Sequence, residues 1–217
     1  MVDTELQRLN MVESQVRPSD VVDRRIPVAM RTIERERFVP EANRTLAYRD
    51  ETIGIGNGRV LLPPRILAKM IQSLELGDND LVLDIGCGTG YSTAVLSCIA
   101  QTVVGLESDS ELAAQATAAI AGAGIDNTVI VEGSLPLGHA AEGPYDAILL
   151  NGAVHDIGNA LLDQLKDGGR MVAVQIEDGY GRARQWRRFD SYFDGRTVFD
   201  AVAPVLPGFE RAPSFVF

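Results

Sequence analysis

The sequence predicts an α/β fold, a mostly parallel seven-stranded sheet with helices on both faces. Three observations predict it. From residue 81 onwards, short apolar runs alternate with helical stretches, which is typical of parallel strands that are covered on both faces. A glycine-rich loop joins the first run to its helix. The chain has 217 residues, 46% of them hydrophobic, which is enough for one such domain with an appendage.

The pattern of apolar residues, glycines and prolines in residues 1–76 predicts an N-terminal annex of helices and loops. Three helices are expected there, over residues 4–17, 24–33 and 64–74. In the first helix, apolar side chains recur at helical spacing, Thr4 and Gln7 fit a capping box, and Pro18 ends the helix. The glycines and prolines of residues 38–63 predict loops and short extended segments before the third helix.

Residues 77–217 predict the ligand-binding core, and together with the annex they form one expected domain over residues 1–217. The five parallel strands are expected at LVLDIG, TVVGLES, NTVIVEGS, YDAILLNGA and RMVAVQI. Helices are expected at YSTAVLSCIA, at residues 109–121 and at GNALLDQLK, the last one ended by Gly168-Gly169. The tail predicts a C-terminal antiparallel hairpin, two strands joined by a turn that contains Gly195.

Composition and charge narrow the possible function classes. The formal net charge is −10, which argues against nonspecific binding to nucleic acid because such binding needs clustered Lys and Arg. The arginines between Arg24 and Arg37 are interpreted as a solvated helix face. No apolar stretch is long enough to span a membrane, and the start lacks the pattern of a signal peptide. We therefore expect a soluble, cytoplasmic protein without nucleic-acid or membrane partners.

The two cysteines, Cys87 and Cys98, are too few for a disulfide framework. No Cys or His cluster has the spacing of a zinc site, so no metal is predicted. Both cysteines are expected to be small, buried or half-buried residues of a reduced protein.

The segment LDIGCGTGY, residues 83–91, carries the first signal of a ligand. It follows a strand and opens a helix, the context in which a glycine loop brings backbone close to a ligand. Position 91 is tyrosine, so the dinucleotide pattern G-x-G-x-x-G is absent, as is the G-K-[ST] of a phosphate-binding loop. The helix that starts near Tyr91 still offers free N–H groups, which suit a carboxylate.

An acid ends the second predicted strand, 17 residues after Gly90. In doubly wound sheets a carboxylate placed like Glu107 accepts hydrogen bonds from both ribose hydroxyls. The glycines, this acid and the lack of a phosphate grip together predict a nucleoside without phosphates, S-adenosylmethionine (SAM). In the alternative, the glycines only pack strand against helix and Glu107 is solvated. Asp84 either contacts the ligand's amino group, directly or through water, or only braces the loop.

The glycine loop resembles the first motif of class I SAM-dependent methyltransferases, which implies a Rossmann-like core. Over most of its length the chain is similar to one family among them, the protein-L-isoaspartate O-methyltransferases. The segments that carry this resemblance are RERFVPEANRTLAYRDETIGIGNGR, LVLDIGCGTGYSTAVLS, GPYDAILLNGAV and LLDQLKDGGRMVAVQI. The combination of the glycines with Phe38-Val39-Pro40, Ala47-Tyr48 and Gln164-Leu165-Lys166 is much more specific than the loop alone.

The resemblance implies methyl transfer from SAM to the carboxylate of an isoaspartyl residue in a damaged protein. Such a carboxylate is already ionised at neutral pH, so no general base is required. The resemblance also implies that Tyr91 and Ser92 lie beside the methionine part, that Glu107 holds the ribose, and that Gly133 and Ser134 lie near adenine. The family usually has an acid where Ser134 stands, so this contact is expected to be weaker here.

Several polar residues at strand ends complete the candidate set. Asn151 and His155 belong to or follow the fourth strand, at the sheet edge where ligands bind. His139 and His155 are otherwise expected as loop or edge residues, and Trp186 as core or hairpin packing. The predicted cofactor-binding residues are Asp84, Gly86, Cys87, Gly88, Gly90, Tyr91, Ser92, Glu107, Gly133, Ser134 and Asn151.

The segment GRVLLPPRILAKM departs from the family pattern Gly-Gln-Thr-Ile-Ser-Gln-Pro. Laid on the chain without gaps, the pattern's Gly and last Pro fall on Gly58 and Pro64. Its Thr, signature Ser and second Gln fall on Val60, Leu62 and Pro63. Leucine cannot donate the hydrogen bond that a serine hydroxyl gives to the substrate carboxylate, and leaving that group unpaired costs roughly 1–3 kcal/mol or more.

Leu62 and Arg65 are the candidate catalytic residues, as parts of an acceptor-site wall. The Arg65 guanidinium would replace the lost donor, since it binds carboxylates through two parallel hydrogen bonds. Alternatively Arg65 is a solvated helix residue, and Leu61 and Leu62 only pack under the third helix.

Three functional hypotheses follow. The first is carboxyl methylation of an isoaspartyl peptide or protein, the second is SAM-dependent methylation of a different and less polar small acceptor, and the third is SAM binding without catalysis.

Overall fold

The structure contains the predicted α/β fold. The computed structural model describes residues 3–211. Its strands are β1 (Ile53–Gly56), β2 (Arg59–Leu61), β3 (Leu81–Ile85), β4 (Thr102–Glu107), β5 (Thr128–Glu132), β6 (Tyr145–Val154), β7 (Leu165–Glu177), β8 (Tyr180–Phe189) and β9 (Tyr192–Asp200). Its α-helices are α1 (Thr4–Met11), α2 (Arg25–Thr32), α3 (Pro64–Gln72), α4 (Tyr91–Ser97), α5 (Ser110–Gly122) and α6 (Asn159–Leu162). Among these described residues, no helix is long and apolar enough to cross a membrane.

The main sheet has seven strands in the order β5-β4-β3-β6-β7-β8-β9. Neighbouring strands are parallel from β5 through β7, whereas β8 and β9 are antiparallel and form the expected C-terminal hairpin. The prediction of a mostly parallel, seven-stranded sheet is therefore confirmed. β1 and β2 pair only with each other, in a separate antiparallel hairpin that fits the short extended segments expected before the third helix.

Alternating side chains of the central strands supply two separate cores. Val82 of β3 belongs to the core shared with α3, α4 and α5, while the next residue, Leu83, belongs to the core on the other face. The first face also receives the N-terminal helices, through residues such as Met11. The second face is covered by α6 and by the C-terminal segment around Leu206. The continuously apolar strands of the sequence are thus explained by burial on both sides.

The N-terminal helix has a different start from the predicted one and a less regular end. α1 continues through a π turn and a 3₁₀ turn to Ser19. Its N-cap is Asp3, whose carboxylate accepts a hydrogen bond from Leu6 N at 3.0 Å. The predicted capping box of Thr4 and Gln7 is wrong, because a carboxylate one residue earlier already serves the first turn.

The helix predicted at GNALLDQLK is much shorter than expected. α6 has four residues, and β7 begins at Leu165 and runs through Gly168 and Gly169. Tyr145 N donates to Gln164 O at 2.7 Å, and Tyr145 pairs with Leu165 across the parallel strands. Pairing with β6 therefore draws the chain into the sheet before a second helical turn can complete.

The turn of the C-terminal hairpin lies at Asp190 and the residue after it, and not at Gly195 as predicted. Phe189 and Tyr192 pair across this turn. Asp190 has φ +48°, a left-handed conformation that aspartate tolerates. Gly195 lies inside β9 opposite Trp186, where a Cβ would come within 2.9 Å of the indole Cδ1. Close approach of the ring, rather than a turn, is the reason for a glycine there.

Arg35 and Cys98 differ from their expected burial. The interpretation of the N-terminal arginines as a solvated face is wrong for Arg35, which is fully buried. Its Nε donates to Ala47 O at 2.8 Å and its Nη2 to Leu62 O at 2.7 Å, and burial lowers the pKa of the guanidinium. Cys98, the residue that follows the last turn of α4, is exposed rather than buried or half-buried.

Candidate active site

The predicted cofactor residues lie where neighbouring parallel strands end. The strands β5, β4, β3 and β6 are adjacent in that order. Gly133 follows β5 and Gly86 follows β3, while Glu107 is the last residue of β4 and Asn151 lies in β6. Backbone hydrogen bonds join their ends: Gly133 N donates to Glu107 O at 2.9 Å and Gly86 N to Leu106 O at 2.8 Å. The strand order reverses at β3, the position at which such sheets form a ligand crevice.

The glycine loop between β3 and α4 has a backbone that favours glycine. The φ angles of Gly86, Gly88 and Gly90 are +75°, +57° and +92°. A Cβ on Gly90 would lie 3.2 Å from helix α5, so this glycine also permits close packing. A Cβ on Gly86 would lie 2.7 Å from Arg59 Nη2, and one on Gly88 would lie 2.6 Å from Ile55 Cδ1. The loop is therefore covered at short distance by the β1–β2 hairpin.

Asp84, Ser92 and Asn151 form a buried, hydrogen-bonded cluster beside the loop. Ser92 Oγ donates to Asp84 Oδ2 at 2.6 Å, and Asn151 Nδ2 donates to Ser92 Oγ at 2.8 Å. Thr93 Oγ1 also donates to Asp84 Oδ2, at 2.7 Å. Two oxygens of the cluster, Asp84 Oδ1 and Asn151 Oδ1, are buried without a hydrogen-bond partner. Both are acceptors, so they suit a ligand group that carries N–H donors.

The Asp84 carboxyl group braces the loop with one oxygen, while contact of the other oxygen with a ligand stays a prediction. Its Oδ2 braces the first turn of α4 through the two hydroxyl donors, whereas its Oδ1 has no partner. Burial raises the pKa of Asp84 to about 6, and the two hydroxyl donors only partly oppose this shift. At neutral pH the group is therefore mostly an anion that lacks one hydrogen bond.

Glu107 is fully buried, and both of its carboxylate oxygens already have protein donors. Oε2 accepts from Gly88 N at 2.8 Å, and Oε1 accepts from Ser108 N at 2.8 Å. Arg59 Nη1 also donates to Oε1, at 2.7 Å. Arg59 is itself only 7% exposed. The alternative in which Glu107 is solvated is therefore wrong.

Tyr91 and Cys87 have packed surroundings. The Tyr91 ring contacts Phe38 edge-on, with centroids 5.7 Å apart, and the Arg35 guanidinium lies 4.6 Å from the ring centroid. Burial raises the pKa of the Cys87 thiol well above its usual value, so this thiol stays protonated and unreactive at neutral pH. Contact of either residue with a cofactor stays a prediction.

Leu62 and Arg65 are close in sequence but have different surroundings. Leu62 is buried in the core with Leu61, as the packing alternative predicts. Arg65 is half exposed in the first turn of α3, and its Nε lies 2.8 Å from Asp50 Oδ2. A cavity of about 640 Å³ is lined by Pro63, Asp50 and Arg65 on one side and by the β7–β8 turn on the other. The structure thus places Leu62 in the core and Arg65 at a surface cavity.

The remaining candidates lie outside the cluster of Asp84, Ser92 and Asn151. Ser134 is exposed at the start of a 3₁₀ turn. His139 pairs with Glu142 at 2.5 Å, and His155 is partly buried with its Nδ1 unpartnered. Trp186 packs against the second core, as expected. Among residues 3–211, no three His, Cys, Asp or Glu side chains are grouped so as to hold a metal ion.

Arg59 and Leu206 lie at the site, although the sequence patterns did not single them out. A Cβ on Gly86 would lie 2.8 Å from Leu206 Cδ2, and one on Gly152 would lie 2.6 Å from the same atom. One sequence signal could have identified Arg59, because the family pattern has glutamine directly after its first glycine and this chain has arginine there. Leu206 had no such signal, because its position depends on the path of the C-terminal segment along β6.

The two ends of the expected nucleoside fit these residues differently. The ammonium of a methionine part suits the unpartnered oxygens of Asp84 and Asn151. A ribose would need Glu107, whose oxygens are engaged by backbone amides and by Arg59. The site therefore offers unpartnered acceptors at the methionine end, whereas at the ribose end both oxygens of the acid already accept hydrogen bonds.

Sequence comparisons identify relatives over most of the chain. The sequence profile of the protein-L-isoaspartate(D-aspartate) O-methyltransferases matches residues 7–206. A protein-L-isoaspartate O-methyltransferase of Methanoculleus marisnigri is 40% identical over 167 residues, which is 77% of this chain and 76% of the relative. Protein-L-isoaspartate O-methyltransferase 2 of an Anaeromyxobacter species is 40% identical over 175 residues, 81% of this chain and 72% of the relative.

Solved structures show the same fold. A protein-L-isoaspartate O-methyltransferase superposes with a TM-score of 0.81 and 23% identity, covering 94% of this chain and 66% of the other. A Plasmodium falciparum protein described as a protein-L-isoaspartate O-methyltransferase, in complex with S-adenosyl-L-homocysteine, superposes with a TM-score of 0.78 and 19% identity. That match covers 92% of this chain and 97% of the other.

Proposed function

We propose a function from one premise, that the chain belongs to the protein-L-isoaspartate(D-aspartate) O-methyltransferase family. The protein transfers a methyl group from SAM to the carboxylate of isoaspartyl residues in damaged proteins, which makes it a protein-repair enzyme. One observation carries the proposal: the glycine loop is hydrogen-bonded to a buried acid at the end of the neighbouring strand, through Gly88 N and Glu107 Oε2.

The chain's own residues bind and orient the reactants. Asp84 and Asn151 accept from the ammonium of the methionine part, Glu107 receives the ribose, and Gly133 and Ser134 lie near adenine. SAM, when bound, supplies a methyl group that its sulfonium already activates. The acceptor carboxylate is ionised at neutral pH and needs no general base. The protein therefore contributes in-line placement and exclusion of water.

We place the acceptor peptide in the cavity beside α3. Arg65 lines it together with Pro63, next to the segment where the family pattern has its signature serine. The Arg65 guanidinium has five N–H donors, and among the described contacts Asp50 engages only its Nε. Arg65 thus supplies the donor to the acceptor carboxylate that Leu62 lacks.

The test is transfer of labelled methyl from SAM to an isoaspartyl peptide, with the matching normal aspartyl peptide as control. We expect transfer to the isoaspartyl peptide alone. A folded protein that binds SAM and methylates neither peptide would overturn the isoaspartyl assignment and direct the search to less polar acceptors.

The role of Arg65 is tested by Arg65→Gln, with Arg31→Gln on the exposed face of α2 as the matched control. Loss of a charge-assisted hydrogen bond to the acceptor is expected to raise the peptide KM roughly tenfold, while the KM for SAM is unchanged. Equal peptide KM values in the two variants would remove Arg65 from the acceptor site.

We also propose that the protein works in the reducing cytoplasm. Cys87 and Cys98 are both free thiols, one buried and one exposed, and an exposed free thiol is typical of reducing compartments.

A further inference from the structure

The Glu107 carboxylate is held by a basic side chain from a different part of the chain. Arg59 Nη1 donates to Glu107 Oε1 at 2.7 Å, and Arg59 Nη2 donates to Gly86 O at 2.9 Å. The two side chains are 7% and 0% exposed. The guanidinium thus bridges the glycine loop and the acid at the end of β4, which are the two features that identify the ribose position.

The Arg59 guanidinium fills the space between the glycine loop and Glu107. A single Cβ added to Gly86 would already lie 2.7 Å from Arg59 Nη2 and 2.8 Å from Leu206 Cδ2. Glu107 Oε1 also accepts from the amides of Ser108 and Asp109, at 2.8 and 3.2 Å. The Ser108 hydroxyl lies 3.2 Å from the same oxygen, whereas Oε2 accepts, among the described residues, only from Gly88 N. Of the donors on Oε1, only the Arg59 guanidinium comes from a distant part of the chain, so it is the donor that a ribose hydroxyl would displace.

Only the tip of the segment that carries Arg59 has few contacts with the glycine loop. β1 and β2 pair only with each other, and their side chains Ile53, Ile55 and Leu61 are buried in the main core. Freedom to move is therefore confined to the turn and to the Arg59 side chain. The turn contains Gly56, Asn57 and Gly58 with φ angles of +109°, +50° and +73°. Besides Arg59, the described contacts of the hairpin with the loop region are Ile55 against Gly88 and the Asn57 Nδ2 bond to Asp109 Oδ2 at 2.8 Å.

We propose that Arg59 is a gating residue that competes with the ribose of SAM for Glu107, so that the cofactor binds only when the Arg59 side chain and the adjoining turn move the guanidinium away from Glu107. The inference rests on the proposed function, since it assigns SAM to this site. Under this proposal, the position of the Arg59 side chain sets the affinity of the protein for SAM. The observed dissociation constant is then the intrinsic one divided by the fraction of molecules in which the pair is open.

The experiment compares the affinity of S-adenosylhomocysteine (SAH) for the wild type, Arg59→Gln and Arg59→Lys by isothermal titration calorimetry. Glutamine removes the charge and stands at this position in the family pattern. Glu107 keeps the amide donors of Gly88, Ser108 and Asp109 in this variant, so the carboxylate stays hydrogen-bonded. Arg31→Gln is the matched control for loss of one positive charge elsewhere.

We expect SAH to bind Arg59→Gln about tenfold more tightly than the wild type, which corresponds to a closed form that outweighs the open form by about ten to one. Arg59→Lys, which keeps the charge, is expected to stay within about threefold of the wild type, as is Arg31→Gln. A second variant, Asn57→Gly, leaves the Arg59–Glu107 pair intact and removes only the contact with Asp109. It is expected to tighten SAH binding by roughly two- to fivefold through easier opening.

Any other set of SAH affinities overturns the proposal that Arg59 competes with the cofactor. Equal affinities in the wild type and Arg59→Gln mean that Arg59 does not compete with SAH, while the proposed cofactor stands. Weaker binding by Arg59→Gln means that the guanidinium helps to hold the ligand. If Arg59→Gln does not fold, an Asn57→Gly affinity equal to that of the wild type overturns the gate on its own. Absence of SAH binding in every folded variant overturns the cofactor assignment together with the gate.

Discussion

At the scale of the residue, the buried Asp84 carboxyl is a site group whose raised pKa lies in a pH range where unfolding is readily measured. Burial raises its pKa from 3.8 to about 6. Between these two values the native state holds a proton that the unfolded state releases. Linkage then requires that the stability contributed by this group is greatest below pH 3.8 and is lost as the pH rises through 6.

The predicted consequence is a pH-dependent difference between the wild type and Asp84→Asn, which cannot titrate. From pH 4.5 to 7.5, the unfolding free energy of the wild type should fall by about 2 kcal/mol relative to that of the variant, because about 1.5 pH units of the shift lie above pH 4.5 and each is worth 1.36 kcal/mol. Urea unfolding at several pH values measures it. A difference that is constant or that grows with pH would show that Asp84 does not have a raised pKa.

The sequence predicted the positions of single candidate residues at strand ends better than it predicted the side chains that they contact. Glu107 and the three glycines were found because each occupies a fixed place relative to a strand end, and strand ends are set by local patterns. The partner of Glu107 comes from residue 59, on a hairpin that folds back over the loop. Nothing in the local pattern around Arg59 specifies that long-range approach, so a departure from the family pattern was its only signal.

At the scale of the element, the C-terminal hairpin depends on Gly195. A Cβ at this position would come within 2.9 Å of Trp186 Cδ1 and 3.0 Å of its Nε1. Side chains forced into occupied space typically cost 1–3 kcal/mol, because neighbours must shift from their preferred rotamers. The backbone of Gly195 is not in the left-handed region, so the cost comes from the contact with the indole ring.

Gly195→Ala is therefore expected to lower the unfolding free energy by about 1–2 kcal/mol, the steric cost being partly offset by the entropy that alanine removes from the unfolded chain. Gly54→Ala in β1 is the matched control, since nothing lies within 4 Å of its Cβ position, and its effect should stay within about 0.5 kcal/mol. Equal effects in chemical denaturation would mean that the Trp186 contact does not restrict position 195.

Elements whose limits depend on pairing were harder to predict than elements set by periodicity. α3 and α5 were found within two residues at each end, since their caps and apolar spacing lie within the helix itself. α6 and the hairpin turn were misplaced. In both cases the partner strand decides the boundary, through Tyr145 against Leu165 in one and Phe189 against Tyr192 in the other.

At the scale of the whole molecule, the annex and the sheet share one core. Buried residues of α1 and α2, such as Met11 and Ile26, belong to the same cluster as Val82 and Val103 of the central strands. The covering of the glycine loop by the β1–β2 hairpin adds a second link between the two parts. An annex that contributes to the main core cannot unfold without exposing one face of the sheet, so a single cooperative transition is expected.

This last expectation can be tested with two probes and one ligand. Trp186, the one tryptophan of the sequence, packs against the second core, whereas far-UV circular dichroism reports mainly on helices that cover the first. The two thermal transitions should coincide, and SAH at 100 times its dissociation constant should raise both by roughly 5–11 °C, from about 2.7 kcal/mol of added stability. Loss of helical signal well below the tryptophan transition would mean that the annex unfolds separately. A shift confined to one probe would mean that the ligand stabilises only that part of the chain.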